Sequence, residues 1–284
     1  MAFIEIDSIG ISYDIIGEGD RSAVITPGGR YSKDLEGIRP LAQKLAEGGL
    51  RVLIWDRPNC GASDMCFEGE TESIQNADTL AALLRQVGMA PAMLIAGSGG
   101  SRESMMTAVR HPDVVERLFV FWISGGSLGL ATLPFAYYSD SLMAAASDGM
   151  AGVAALPCWQ EQLSRNPKNR ERLLGMDADR FVEKLLDWGW AFFPGPGTPV
   201  PGITPEQFAA ITAPTMVLRS SAMDMHHTRA TSETVHGMIP GSRIAEPPWD
   251  EREWPERMKG FATGESATRN WPLLAPQILE FARS

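Results

Sequence analysis

Ser98 stands in a turn of small residues whose composition suits a catalytic nucleophile. The turn reads Ala96-Gly97-Ser98-Gly99-Gly100; it follows the apolar, strand-like run 92–96 and precedes a helical pattern. Small neighbours are needed where a strand turns sharply into a helix, because the crowded backbone holds the serine hydroxyl out from the sheet. Such a serine attacks a carbonyl carbon when a nearby base takes its proton. Ser101 is a second candidate, but the strand ends at residue 96 and places Ser98 at the apex.

Four histidines are available to serve as that base. His111 is expected to close the helix after the turn, about thirteen residues from Ser98, which is roughly 20 Å at the rise of a helix. His236 is expected inside another helix, about two turns or more from the loop that precedes it. Both are therefore predicted to be structural.

His226 and His227 are the remaining candidates, and they lie in a polar loop beside Asp224. His227 is favoured as the base, with His226 as the alternate. Asp224 is the predicted acid that orients the base. Residues so close in the chain make awkward geometry for that role, and the alternative is that Asp224 only holds the loop.

The surrounding sequence alternates strand-like and helical segments, as a mostly parallel α/β sheet flanked by helices requires. Ligands bind at the carboxyl ends of the strands in such sheets, which is where Ser98 and Asp224 are expected. An antiparallel hairpin over 3–7 and 10–16 opens the sheet. Further strands are predicted at 23–26, 51–56, 92–96, 118–123, 215–219 and 243–246, and helices at 34–49 (with Asp34 as N-cap), 71–87, 228–238 and 271–283. The stretch 247–270 carries no assignable pattern.

Residues 130–210 contain no convincing strand and are predicted to form a helical cap, with helices near 137–155, 158–175 and 178–190. The cap is inserted into a core domain made of residues 1–129 and 211–284. Its aromatic side chains are expected to line a substrate pocket between cap and core: Tyr137, Tyr138, Trp159, Trp188, Trp190, Phe192 and Phe193.

Three segments resemble motifs of the α/β-hydrolase family. The turn around Ser98 is similar to its nucleophile elbow G-x-S-x-G, with alanine at the first glycine. The loop Asp56–Asp64 resembles the D-x-R-G-x-G-x-S motif of the family, and we expect it to be a scaffold turn. The segment Pro27-Gly28-Gly29-Arg30 is similar to the family's His-Gly loop, with proline in place of the histidine. The resemblance implies an α/β-hydrolase fold and an oxyanion hole formed by the N–H of Gly99 and that of Gly29 or Arg30.

The chain departs from that family at the catalytic histidine. The family order is serine, acid, histidine, and Asp224 matches the acid, but no histidine follows His236. The resemblance therefore implies a serine-elbow member without the usual C-terminal histidine.

Three hypotheses address the missing histidine. In the first, His227 or His226 is a non-standard base, and the protein is a serine-dependent hydrolase of an ester, a lactone or another carbonyl compound, carbon–carbon bond substrates included. In the second, Asp250 or Glu251 acts as a carboxylate base with a pKa raised by burial. In the third, the elbow is not catalytic, and the protein is a non-hydrolytic lyase or cyclase or binds a small ligand.

Composition bears on the partners and the compartment. The net charge of −10 disfavours nucleic acid and anionic membranes as partners, since both favour a basic face. The N-terminus carries no signal-peptide pattern and no run reaches 18 apolar residues, so a cytoplasmic location is expected. The three cysteines lack metal-ligand or disulfide spacing, and no metal or cofactor is expected.

The expected partner is a small and largely apolar substrate. Arg30 and Arg102 lie near the elbow and are candidates to pair with a carboxylate on it, although surface or helix roles are favoured for both. The sequence leaves the oligomeric state open, with a homodimer as one option.

Overall fold

One eight-stranded sheet forms the centre of the computed structural model, which describes all 284 residues. The strand order is β1-β2-β4-β3-β5-β6-β7-β8; β1 and β2 pair antiparallel, β2 runs antiparallel to β4, and the other pairs are parallel. The strands are β1 (Ala2–Ile6), β2 (Ile9–Ile16), β3 (Arg21–Thr26), β4 (Leu50–Trp55), β5 (Ala92–Gly97), β6 (Val115–Phe121), β7 (Thr215–Leu218) and β8 (Arg243–Ala245). The predicted hairpin and the mostly parallel sheet are confirmed.

Helices cover both faces of the sheet. They are α1 (Ile38–Glu47), α2 (Glu72–Gln86), α3 (Gly99–Arg110), α4 (Ser127–Ala155), α5 (Gln160–Arg165), α6 (Lys168–Leu174), α7 (Ala178–Trp190), α8 (Pro205–Ala209), α9 (Arg229–Met238), α10 (Glu253–Ala262) and α11 (Ala275–Arg283). Successive residues of β5 point to opposite faces, so Leu94 and Ile95 belong to different apolar clusters. This two-sided burial explains the continuous apolar runs of the central strands. None of these helices combines the length and the apolar character that a membrane crossing requires.

Between β6 and β7 the chain contains α4 to α8 and no strand, as the sequence predicts. We refer to residues 127–209 as the inserted helices. They have an apolar core of their own, in which Trp159, Phe181 and Trp188 pack around Phe67 from the loop after β4. That packing fastens the inserted helices to the sheet-forming part of the chain.

Two sequence interpretations need correction. Asp34 is not the N-cap of α1: the capping position is Gly37, which has φ of +96°. The Asp34 carboxylate instead forms ion pairs with three basic side chains, Lys33, Arg39 and Arg165. The unassigned stretch 247–270 contains α10, whose role in the site is described below.

Candidate active site

Ser98 lies in a strained turn between β5 and α3. Its backbone has φ of +57° and ψ of −129°, a conformation that residues with a side chain rarely adopt. A Cβ atom added to Gly28 would lie 2.5 Å from Ser98 Cβ and 2.7 Å from the Gly99 nitrogen, and one added to Gly100 would lie 2.2 Å from the Thr26 oxygen. The loop after β3 and the start of α3 therefore press against the serine, and this leaves no room for larger residues at either glycine.

The three residues expected to do the chemistry lie in hydrogen-bonding contact. Ser98 Oγ is 2.9 Å from His227 Nε2, and His227 Nδ1 is 2.9 Å from Asp224 Oδ2. A carboxylate at Nδ1 favours a proton on that nitrogen, which leaves Nε2 free to accept the serine proton. Both Asp224 and His227 follow β7, so one loop carries the acid and the base.

The Asp224 carboxylate also shapes the loop that carries it. Its Oδ1 accepts hydrogen bonds from the backbone N–H groups of His226 and His227, both at 2.9 Å. These two bonds wrap the chain around the carboxylate, as short acidic side chains do in turns, and direct the His227 ring back onto Oδ2. The awkward geometry expected from the short separation is therefore absent, because Asp224 holds the loop and orients the ring at once.

Arg257 in α10 contacts the same carboxylate, and sequence reasoning missed it. Its Nη2 donates to Asp224 Oδ2 at 2.8 Å, and its Nε donates to Glu253 at 3.0 Å. Its guanidinium lies 3.9 Å from the centre of the Trp122 ring, which in turn stacks beside His227. The sequence signal was a glutamate four residues before an arginine, which is common on helices and does not show where the pair points.

Burial and neighbouring charges set the ionisation of the pair. Burial lowers the pKa of His227 below its ordinary value, and the positive charge of Arg257 lowers it further. The negative charge of Asp224 raises the pKa, but by less than the other two effects lower it. Burial alone would raise the pKa of Asp224, but the charges and hydrogen bonds of His227 and Arg257 lower it to about 2. At neutral pH the acid is ionised and the imidazole is neutral, which are the states that a general base requires.

Gly99 and Gly29 carry two of the backbone N–H groups predicted to form the oxyanion hole. A Cβ atom added to Gly99 would lie 3.6 Å from the Gly29 nitrogen, so the two glycines are immediate neighbours. Gly99 is the first residue of α3, and its N–H therefore has no acceptor within the helix. Arg30, the predicted alternative to Gly29 as an oxyanion donor, is the next residue in the chain. Its side-chain Nη1 donates to Glu72 at 2.7 Å.

Beside these glycines lies a polar cavity of about 20 Å³, enough for a group the size of one water molecule. Arginine and glutamate side chains from the loops after β3 and β4 and from α2 and α3 line much of it. Arg30 pairs with Glu72 at 2.7 Å, and Arg57 pairs with Glu103 at 2.9 Å. We refer to it as the arginine cavity; its other lining residues include Cys60, Asn76, Arg102 and Tyr137.

The predicted pocket aromatics separate into different environments. Tyr137 lines the arginine cavity. Trp159 is fully buried, and the Arg30 guanidinium lies over it, 4.6 Å from the centre of the Trp159 ring. Trp188 is fully buried beside a second cavity of about 30 Å³. Trp190 is 72% exposed and stands on the solvent side of α7. Residues two apart on a helix point to nearly opposite sides, and Trp188 takes the buried side of α7.

None of the alternative bases hydrogen-bonds to Ser98. The His226 ring is partly exposed and lies edge-on to Trp254. Asp250 is exposed and accepts a backbone N–H of its own turn, and Glu251 accepts from the loop after β7. The geometry therefore favours the histidine hypothesis over the carboxylate one.

The remaining polar residues singled out in the sequence make structural contacts. Ser101 Oγ donates to the carbonyls of Ala96 and Phe121 at 2.8 and 2.7 Å, which ties α3 to β5 and β6. His111 contacts Asp78, and His236 contacts Ser242. No group of three or more histidine, cysteine, aspartate or glutamate side chains is arranged to hold a metal ion.

The loop after β4 is the scaffold turn that the sequence predicts. Asp56 accepts hydrogen bonds from the backbone N–H groups of Lys33 and Ala62, at 2.7 and 3.0 Å, and Ser63 Oγ donates to the Asp56 carbonyl. These bonds join the loops after β3 and β4. Arg57 is the exception, because its side chain lines the arginine cavity.

Comparison with known proteins identifies the architecture. No family model matches the chain. It is 32% identical over 120 residues to an sn-1-specific diacylglycerol lipase of Mus musculus, which covers 40% of this chain and 37% of the relative. It is 26% identical over 135 residues to a 2-hydroxy-6-oxononadienedioate/2-hydroxy-6-oxononatrienedioate hydrolase of Escherichia coli K12, which covers 46% of this chain and 47% of the relative.

The chain thus spans less than half the length of these curated relatives. An enol-lactonase from Burkholderia xenovorans has a similar structure, with a TM-score of 0.61 and 19% identity over 100% of both chains. The predicted fold is confirmed: the protein has the α/β-hydrolase fold.

Proposed function

We propose that the protein is a serine-dependent hydrolase of an ester, a lactone or another small carbonyl compound. The observation that carries this proposal is the pair of 2.9 Å contacts that link Ser98 to His227 and His227 to Asp224. The relatives support the same reaction class, since they are a lipase and a hydrolase, and the enol-lactonase has a similar structure.

The reaction follows from these positions. Ser98 Oγ attacks the substrate carbonyl carbon while its proton passes to His227 Nε2. The N–H groups of Gly99 and Gly29 stabilise the oxyanion, each by about 3 kcal/mol in the transition state. The leaving group then takes the proton from His227, and a water molecule activated by the same ring hydrolyses the acyl-enzyme. Asp224 remains ionised throughout and stabilises the imidazolium.

His227 takes the place of the histidine that the resemblance leads one to expect after the last strand. In this proposal the base comes from the loop after β7, three residues beyond the acid. A parallel bridge between Gly125 and His227 and a 3.1 Å hydrogen bond from Gly125 N–H to the His226 carbonyl fasten that loop to the end of β6. Strand β6 lies beside β5, so this attachment keeps the ring next to Ser98.

The inserted helices act in this proposal as the cap over the site. Tyr138 in α4 donates to Glu72 of α2 at 2.7 Å, and Trp188 in α7 donates to the Gly69 carbonyl at 3.0 Å. These contacts hold α4 and α7 against the loops at the carboxyl ends of the strands. Substrate would bind between the two parts, as ligands commonly do in this class of fold.

Labelling with a fluorophosphonate, read by intact mass, tests the proposal. We expect one adduct on the wild type and none on Ser98→Ala. Ser101→Ala is the matched control, and it should be labelled because its hydroxyl only bonds to two carbonyls. His227→Gln should be labelled at least about 100-fold more slowly, the usual contribution of a general base.

Each alternative result has a distinct meaning. A folded wild type that is not labelled, or an adduct retained in Ser98→Ala, contradicts the proposed nucleophile. Wild-type labelling of His227→Gln contradicts the base and leaves the nucleophile standing. Labelled protein would then be screened with esters, lactones and carbon–carbon bond substrates.

A further inference from the structure

Arg102 in α3 is a buried cation without an acidic partner. Arg102 is 5% exposed, its Nε is buried without a hydrogen-bond partner, and its side chain forms no ion pair. The guanidinium lies 4.2 Å from the centre of the Phe192 ring, which supplies a cation–π contact and no negative charge. Removing a charge from water is costly unless an opposite charge accompanies it, so this arginine lacks the group that would offset its burial.

The arginine cavity has an excess of one positive charge. Three arginines line it together with two glutamates. Arg30 pairs with Glu72, and Arg57 pairs with Glu103. The glutamates are therefore committed to other partners, and the excess charge belongs to Arg102.

We propose that Arg102 binds a carboxylate of the substrate, so that the enzyme acts on carbonyl compounds that also carry a free carboxylate. Arg102 lies four residues after Ser98 on α3, about 6 Å along the helix, and it lines the cavity next to Gly29 and Gly99. The carboxylate would thus sit a few bonds from the carbonyl that Ser98 attacks. The inference rests on the proposed function, because it names the substrate class of the same site.

The geometry of the donor group favours a carboxylate over other anions. The planar guanidinium presents parallel N–H donors that match the two oxygens of a carboxylate. This inference replaces the expectation of a largely apolar substrate with an apolar body that bears one acidic end.

Matched pairs of esters test the proposal. Each pair consists of a 4-nitrophenyl monoester of a dicarboxylic acid, from adipate to suberate, and the same compound with its free acid capped as a methyl ester. We expect the wild type to favour the free acid in kcat/KM by about 10- to 100-fold for at least one chain length, the usual effect of a hydrogen bond to a charged group. The ratio should fall to about 1 in Arg102→Met and take an intermediate value in Arg102→Lys. Arg110→Met, at the exposed end of the same helix, is the control and should keep the wild-type ratio.

A wild-type ratio near 1, or a ratio that Arg102→Met leaves unchanged, overturns the proposal. Failure of the proposed function gives a different result, namely no ester turnover and no fluorophosphonate adduct. If the protein does not turn over esters, or if Arg102→Met does not fold, a binding measurement still tests the proposal. Calorimetric titration of Ser98→Ala with hexanoate and hexanamide should show hexanoate binding at least tenfold more tightly, and equal binding of the two overturns the proposal.

Discussion

Replacing Asp224 with asparagine should disrupt the proposed site, because it removes hydrogen-bond acceptors. Four donors converge on the carboxylate: the N–H groups of His226 and His227 on one oxygen, and His227 Nδ1 and Arg257 Nη2 on the other. An amide oxygen accepts two hydrogen bonds, and an amide nitrogen only donates. Whichever way the asparagine side chain is oriented, two of the four donors face another donor.

The size of the effect follows from that count. A buried donor without an acceptor costs about 1 to 3 kcal/mol, so Asp224→Asn should lower the free energy of unfolding by about 2 to 6 kcal/mol. That loss corresponds to a fall in Tm of roughly 3 to 10 °C, since the unfolding entropy of a chain of this size is about 0.6 kcal/mol/K. An amide nitrogen facing His227 would also move the ring proton to Nε2, which could then no longer accept from Ser98. The equivalent change in a serine protease lowers turnover about 10⁴-fold, and we expect a loss on that order here.

Fluorophosphonate labelling rates and thermal unfolding together measure both effects. Asp78→Asn is the matched control, because its carboxylate also accepts from an arginine and a histidine, Arg110 and His111, but is 40% exposed. Exposed pairs contribute about 0 to 1 kcal/mol, so that variant should keep its stability and its labelling rate. Folded Asp224→Asn labelled at the wild-type rate would refute the assignment of Asp224 as the orienting acid.

Two further substitutions test the loop after β3, which carries Gly28 and Gly29, and the positive charge of Arg257 next to Asp224. Gly28→Ala should slow labelling about 100-fold, the contribution of one oxyanion donor, because the new methyl group would lie 2.5 Å from Ser98 Cβ and displace the loop. Gly237→Ala has open space around the added methyl group and should be labelled normally; equal rates in the two variants would contradict this account. Arg257→Met should move the acid limb of the kcat/KM profile to higher pH, because the Arg257 charge lowers the pKa of His227 and protonated His227 cannot accept a proton. A limb at the wild-type position would show that the charge does not act on the base.

The features that sequence reasoning predicted correctly are local ones. The elbow lies within 19 consecutive residues, 92–110, and its strand, turn and helix each have a pattern that can be read without distant contacts. The loop that carries His227 was found because only four histidines occur in the chain. The small number of histidines, together with the predicted position after a strand, made His227 the favoured candidate for the base, and the structure has its ring 2.9 Å from Ser98 Oγ.

The features that were missed depend on contacts between distant segments. Arg257 lies 33 residues beyond Asp224, in a stretch without a clear period, and its importance comes from the carboxylate it reaches. Asp34 has the residue type and position of an N-cap, but Arg165, which is 131 residues away, draws its carboxylate into an ion pair. Local patterns predict which conformation a segment favours, whereas these side chains are positioned by groups that only the folded chain brings near them.

The contacts of the Asp224 carboxylate fall into two groups: some position the His227 ring, and one adds a positive charge beside it. The two backbone bonds to its Oδ1 come from the next residues in the chain, so the orientation of the His227 ring depends on a loop of a few residues. Arg257 comes from the segment after β8 and bonds only to Oδ2, where it adds a positive charge. Changes in α10 should therefore alter the pH dependence of the reaction while the ring keeps its place. Changes at Asp224 should alter both, because that carboxylate alone joins the loop, the base and the distant arginine.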